Sequence, residues 1–288
     1  MRILLLGAAG QVGRAVVRTA GGRHEVMVKA RTELDIADAA AVGRAMAAAK
    51  PDWIVNAAAY TAVDLAEDEP ARAAATNDAA VGVLADAAAH ANSRLLHLST
   101  DFVFDGSSNR AYLPNDVPHP LSVYGATKLA GERRALESGA AAIVLRTAWV
   151  YAAAGKNFVL TMLKLMRERE EVRVVSDQIG APTWAMGLGE VIRDLLESEA
   201  PAGIYHWTDL GVASWYDFAV AIQDEALARG LLPRAVPIVP IATKEYPTRA
   251  TRPAFSVLDT KATRGAVATP ALHWRHNLRM MLDELRAA

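Results

Sequence analysis

Short apolar runs alternate with longer stretches of helical period through the first half of the chain. The runs 2–6, 25–28, 53–56, 94–98 and 141–146 read as strands, and 3–6 and 141–145 are continuously apolar, as strands covered on both faces must be. Helices are predicted between them at 11–20, 38–49, 70–91 and 122–137. Pro70 suits a first helical turn, and Ser122 offers a side-chain oxygen to the open N–H groups of the next helix. Strand and helix in strict alternation predict βαβ units, hence an α/β fold with a doubly wound parallel sheet.

Past residue 150 the alternation loosens. A helix at 157–170, a strand at 172–175, a helix at 184–197, a strand at 203–207 and a helix at 213–229 are predicted, then a terminal amphipathic helix from about Trp274, in which Met280 and Met281 read as core. Pro233, Pro237, Pro240, Pro247 and Pro253 make the segment 233–253 extended or looped, because each fixes φ and removes a backbone donor. The 288 residues thus divide into a sheet-forming unit over 1–150 and a smaller mixed α/β lobe over 151–288, with elements near 184–210 as candidates to rejoin the sheet.

Composition narrows the chemistry. With 52% hydrophobic and 22% charged residues the chain is an ordinary globular protein. It has no cysteine, which excludes disulfides, thiolate metal sites, iron–sulfur clusters and thiol nucleophiles, so any redox chemistry must come from a bound cofactor. Thirty-one basic against 32 acidic side chains leave no broad field for nucleic acid or an anionic membrane. The N-terminal apolar run ends at Gly7, far short of the roughly 20 residues of a membrane span and of a signal sequence. A cytoplasmic location is expected.

The chemistry-bearing residues fall at strand ends. Gly7-Ala8-Ala9-Gly10-Gln11-Val12-Gly13 follows the first strand and opens the first helix. Gly7 permits the tight turn, Gly10 lets backbone approach a pyrophosphate, and Gly13 lets helix and sheet pack closely, a Rossmann-type arrangement. A tight βα turn without a ligand uses glycine too. Lys29 and Arg31 flank the end of the second strand, where an acid would hold a ribose 2′-hydroxyl and a cation suits the 2′-phosphate of NADPH; NADH is the alternative. Asp35 and Ile36 follow at the adenine edge, and Ala57, Ala58, Ala59 and Tyr60 end the third strand with room for a flat cofactor. The fourth strand ends in Ser99-Thr100-Asp101, and Tyr124 and Lys128 share one face of the helix beyond it. A lysine cation there favours tyrosinate and is expected to lower the phenol's pKa, making Tyr124 a general acid, with the Thr100 hydroxyl directed at the same carbonyl.

This constellation resembles the extended short-chain dehydrogenase/reductase family, and within it the dTDP-4-dehydrorhamnose reductase branch. The likeness runs from the glycine loop through NAAAYTAVD (56–64), STDFVF (99–104), VYGATKLAGE (123–132), RTAWVY (146–151), Asn157-Phe158 and DQIGAPT (177–183) to Arg252-Pro253 with Ser256 and Leu258. It implies reduction of the C4 keto group of dTDP-4-dehydro-L-rhamnose by NADPH or NADH to dTDP-L-rhamnose, the last step of dTDP-rhamnose synthesis for cell-envelope polysaccharide. Thr100, Tyr124 and Lys128 would be catalytic. Gly7, Gly10, Gln11, Val12, Gly13, Arg31, Asp35, Ile36, Ala58, Ala59 and Tyr60, with Tyr124 and Lys128, would hold the cofactor. Thr61, Val63, Thr100, Asp101, Trp149 and Arg252 would hold a dTDP-linked 4-keto-6-deoxysugar. Related 4,6-dehydratases carry Thr-Asp-Glu where this chain has Thr100-Asp101-Phe102, so the acid pair for elimination is missing. Some branch members use an acid early in the first helix for a Mg²⁺-linked dimer. Arg14-Ala15 stand there, so no metal is expected, while a homodimer stays open. The branch is also similar to the non-catalytic beta subunit of methionine adenosyltransferase, and the family includes sugar-nucleotide epimerases; both remain alternatives.

Overall fold

The computed structural model describes residues 1–287. Its centre is a parallel sheet formed by β1 (Arg2–Leu6), β2 (Glu25–Lys29), β3 (Trp53–Asn56), β4 (Arg94–Thr100), β5 (Ala142–Thr147) and β10 (Gly203–His206). The short strands between the last two, β6 (Val150–Tyr151), β7 (Val172–Val175), β8 (Ile179–Gly180) and β9 (Thr183–Trp184), pair outside this sheet. The spatial order is β10-β5-β4-β3-β1-β2. The chain steps from β1 out to β2, then returns to β3 on the other side of β1. The crevice beyond the ends of β1 and β3 is therefore the switch point, where open α/β sheets bind ligands.

Alternation along β1 sends side chains to two cores. Ile3 and Leu5 join Trp53, Val55, Val16 and Leu188 on the face covered by α1 (Gln11–Ala20) and α8 (Ala185–Glu197). Leu4 and Leu6 join Val42, Met46, Ile54 and Leu84 on the face covered by α2 (Ala39–Ala49) and α5 (Ala80–His90). Capping is written into the sequence: the Asp38 carboxylate accepts from Ala40 and Ala41 at the start of α2, and Ser122 accepts from Gly125 at the start of α6 (Val123–Glu137).

The expected helix over 70–91 is interrupted. After α3 (Val63–Ala66), α4 (Pro70–Ala74) runs into one turn of π-helix at Ala75–Ala79 before α5 begins. Asn77 in that turn is buried, and its side chain both accepts from the Tyr60 amide (2.8 Å) and donates to the Tyr60 carbonyl (3.1 Å). An alanine-rich pattern carries no signal for the extra residue in the turn.

The second half contributes to both layers. β10 pairs with β5 in the register Gly203↔Ile143 to His206↔Arg146, and α10 (Lys261–Ala266) lies against β10. A separate core gathers α7 (Phe158–Glu168), α9 (Trp215–Ala228) and α11 (Trp274–Ala287) around Met166, Phe218, Leu278 and Met281. Met280, expected in that core, is 41% exposed instead, because α11 turns it outward. The proline segment is extended in part, as expected. Ile238–Ile241 forms a strand paired in parallel with β7, and Pro240 is tolerated because this two-stranded ribbon has free edges.

Candidate active site

The glycine loop is tight for steric reasons. Gly7 has φ +79, and a Cβ there would lie 2.6 Å from the Ala57 backbone, while a Cβ on Gly13 would lie 2.2 Å from the Gly7 carbonyl oxygen. Gly10 begins α1 with no side-chain cap, which leaves the first helical N–H groups pointing at the crevice. Beside them a cavity of about 390 Å³ is lined by Gly7, Gly10, Lys29, Arg31, Asp35, Ile36, Ala57, Ala58 and Ala59. The predicted cofactor residues Gln11, Val12, Gly13 and Tyr60 do not line it. Gln11 instead accepts from Asn157 (2.9 Å) and ties the glycine loop to the second half of the chain. Tyr60 donates its phenol proton to Glu69 (2.9 Å) and lies under the Arg72 guanidinium.

Arg72, Thr76 and Asn77 were not legible as site residues. Arg72 and Thr76 line the same cavity, so three cations, Lys29, Arg31 and Arg72, border one pocket. A lone arginine in an alanine-rich helix gave no sign of this, and Asn77 gains its place through the π-turn.

Thr100 ends β4, and its hydroxyl donates to Asp101 (3.0 Å) while accepting from the Phe102 amide (3.2 Å). Asp101 is buried, hydrogen-bonded also by Ser256, and one of its carboxylate oxygens has no partner. Burial outweighs those bonds and pushes its carboxyl up to about 6. Tyr124 packs edge-on against Phe102, with ring centroids 5.6 Å apart, and its phenol is within reach of Thr100. Burial raises that phenol to about 12, opposite to the lowering expected from the Tyr124/Lys128 spacing. The Asp101 charge adds to that rise, while Lys128 has other partners: its Nζ donates to the Leu98 carbonyl (2.6 Å) and lies 3.3 Å from His97 Nε2. Burial lowers the lysine to about 8, against the pull of Glu132 one turn along the helix. Glu132 is already engaged by Arg146, at 2.9 and 2.7 Å, and by the Ser99 hydroxyl.

A second, narrow recess of about 80 Å³ is lined by Phe102, Trp149, Gln178, Trp215, Arg252, Pro253 and Ser256. Trp149 stacks on Trp215 at 3.4 Å with its backbone in the left-handed region, φ +48. Trp149 and Arg252 of the predicted substrate set meet here; Thr61 and Val63 are not in its wall. Arg252 does not point free into the recess either. Its guanidinium clasps Asp64 at 3.0 and 2.7 Å, and the Ala250 amide donates to the same carboxylate. Gln178, Trp215 and Ser256 were missed as lining residues, since only the tertiary fold brings them beside Phe102.

Among the described residues no group of three or more histidine, aspartate or glutamate side chains is placed to hold a metal ion. No helix among them is long and apolar enough to cross a membrane.

Comparison with known proteins converges on one family. The family model described as the RmlD substrate binding domain matches residues 1–287. A curated dTDP-4-dehydrorhamnose reductase of Burkholderia thailandensis is 42% identical, covering 99% of each chain. Among solved structures, a dTDP-4-dehydrorhamnose reductase of Clostridium acetobutylicum superposes with a TM-score of 0.94 at 35% identity, over 99% of this chain and 100% of its own. That of Bacillus anthracis, solved in complex with NADP, gives 0.93 at 32% identity, over 98% and 99%. A core built on a glycine-loop switch point, a Thr/Tyr/Lys set at its edge and full-length likeness to these reductases place the chain in the RmlD substrate-binding-domain family.

Proposed function

We propose that this protein reduces the C4 keto group of dTDP-4-dehydro-L-rhamnose to dTDP-L-rhamnose with NADPH. The observation that carries this reading is the likeness over the full length of the chain to named reductases; Thr100 at the end of β4 with the Tyr124 phenol in reach, and Lys128 one turn along α6, support it. Three features of the cavity suit a dinucleotide: Gly7 and Gly10 keep its wall free of side chains at the tight turn, the uncapped start of α1 adjoins it, and Lys29, Arg31 and Arg72 border it. When bound, the nicotinamide supplies a hydride to the substrate carbon.

The chain's own residues do the rest. The first turn of α1 and Gly10 take the pyrophosphate. Lys29, Arg31 and Arg72 face the ribose end, and this basic border supports NADPH over NADH. Thr100 must turn its hydroxyl from Asp101 to donate to the C4 oxygen. Tyr124, a neutral phenol across the physiological range, gives its proton to that oxygen only as negative charge develops there. Trp149 and Arg252 border the sugar side, and Arg252 must exchange Asp64 for a substrate oxygen to reach it. The natural test is to supply dTDP-4-dehydro-L-rhamnose with NADPH or NADH and follow loss of reduced nicotinamide absorbance. Turnover faster with NADPH is expected; no oxidation of either nucleotide would remove the reading.

A further inference from the structure

His97, Asn56 and Lys128 form a buried polar chain whose donors and acceptors can be counted. His97 and Asn56 are fully buried and Lys128 nearly so. The Ala58 amide donates to Asn56 Oδ1 (3.1 Å), which fixes the way the carboxamide faces. Asn56 Nδ2 therefore donates, and its partner is His97 Nδ1 at 3.1 Å. A neutral imidazole has one donor nitrogen and one acceptor nitrogen. With Nδ1 accepting, the ring proton sits on Nε2, and Nε2 is the atom 3.3 Å from Lys128 Nζ. The second ring proton of an imidazolium would have to sit on Nδ1, where Asn56 already donates. Burial also holds the ring's pKa well below its ordinary value.

We propose that His97 is a positioning residue: held by Asn56 in its Nε2–H tautomer, it presents a donor to Lys128 Nζ and so favours the neutral amine over the ammonium. An ammonium has three protons and no lone pair, so it gains nothing from a donor at that distance, whereas a neutral amine accepts from it. The remaining groups facing Lys128 are the Leu98 carbonyl on β4 and Glu132 on its own helix, whose charge is shared with Arg146 of β5. Tyr124 lies one turn back on α6 and Asp101 beyond it. The inference rests on the reading of Lys128 as catalytic, but its geometry and its test do not need turnover.

The test is nuclear magnetic resonance on the full chain, with and without NADP⁺. Long-range ¹H–¹⁵N correlations should show the His97 Nε2 protonated and Nδ1 bare; the reverse tautomer overturns the proposal. In Asn56→Asp the carboxylate accepts from Nδ1–H, the Nε2 lone pair turns to Lys128, and the lysine ¹³Cε titration should move up by about one pH unit. The double variant Asn56→Asp/His97→Phe separates tautomer from added charge. Loss of most of that shift is expected once the imidazole is gone, and a shift that persists in full in the double variant overturns the proposal. Should the variants fail to fold, the tautomer in the unaltered chain still decides. Failure of ketone reduction would instead strike the proposed function and leave these spectra unchanged.

Discussion

The two proposed binding surfaces are specified at different ranges along the chain. On the proposed cofactor side most of the wall, from Gly7 and Gly10 through Lys29, Arg31, Asp35 and Ile36 to the Ala57–Ala59 run, comes from residues close in sequence to strand ends. On the proposed sugar side Trp149, Gln178, Trp215, Arg252 and Ser256 are drawn from segments spread over more than a hundred positions. The first surface is specified by local rules of turn and helix start, the second by tertiary packing. The cofactor side should therefore answer to single backbone-level changes and the sugar side to changes in ion pairs and stacking.

Four measurements press on that contrast, beginning with the proposed proton donor. Tyr124→Phe should cut kcat by about 10³-fold, within the usual span for losing a proton donor, and leave NADPH affinity within about twofold. An unchanged kcat would take Tyr124 out of the chemistry. Gly13→Ala tests the locally specified side: with its Cβ 2.2 Å from the Gly7 carbonyl oxygen, it should cost about 2–3 kcal/mol in urea unfolding and weaken nucleotide binding as well. Wild-type stability would mean that the loop yields more easily than its contacts imply.

Arg31→Ala should weaken NADPH by about tenfold, worth roughly 1.4 kcal/mol, and leave NADH unaffected. Equal losses for both nucleotides would sink the 2′-phosphate role. The smallest effect expected is electrostatic. Asp101 has a folded-state pKa of about 6, above its ordinary value of 3.8, so the folded chain binds more protons than the unfolded chain between those values. Stability contributed by this group is present at acid pH and is lost as pH rises through about 6. Asp101→Asn should flatten that decline by an amount on the order of 1 kcal/mol between pH 5 and 7, read from Tm against pH. An identical slope in parent and variant would show that the carboxyl finds a partner in solution.

The same contrast explains what could be read without coordinates. The strands at 2–6, 53–56 and 94–98 and the cap at Ser122 follow from apolar runs and a short polar side chain acting locally. The π-turn around Asn77, the exposed side of Met280 and the pairing of Ile238–Ile241 with β7 depend on partners far along the chain. Tyr124 and Lys128 were visible as a pair on one helix face, yet the direction of the phenol's shift was not. It is decided by burial and by the charge of Asp101. Arg252 was legible as a cation near an anionic ligand, but its clasp on Asp64 was not.

That clasp joins residues 188 positions apart. Closing so long a loop is entropically slow and is rewarded only after the sheet exists to hold both ends. During refolding, the glycine loop and its strands can form from neighbours in sequence, whereas the sugar side must wait for the last quarter of the chain to dock. Competence to bind nucleotide should thus return earlier than competence to turn over substrate. A ribosome releasing this polypeptide would hand over a nucleotide binder before it hands over an enzyme.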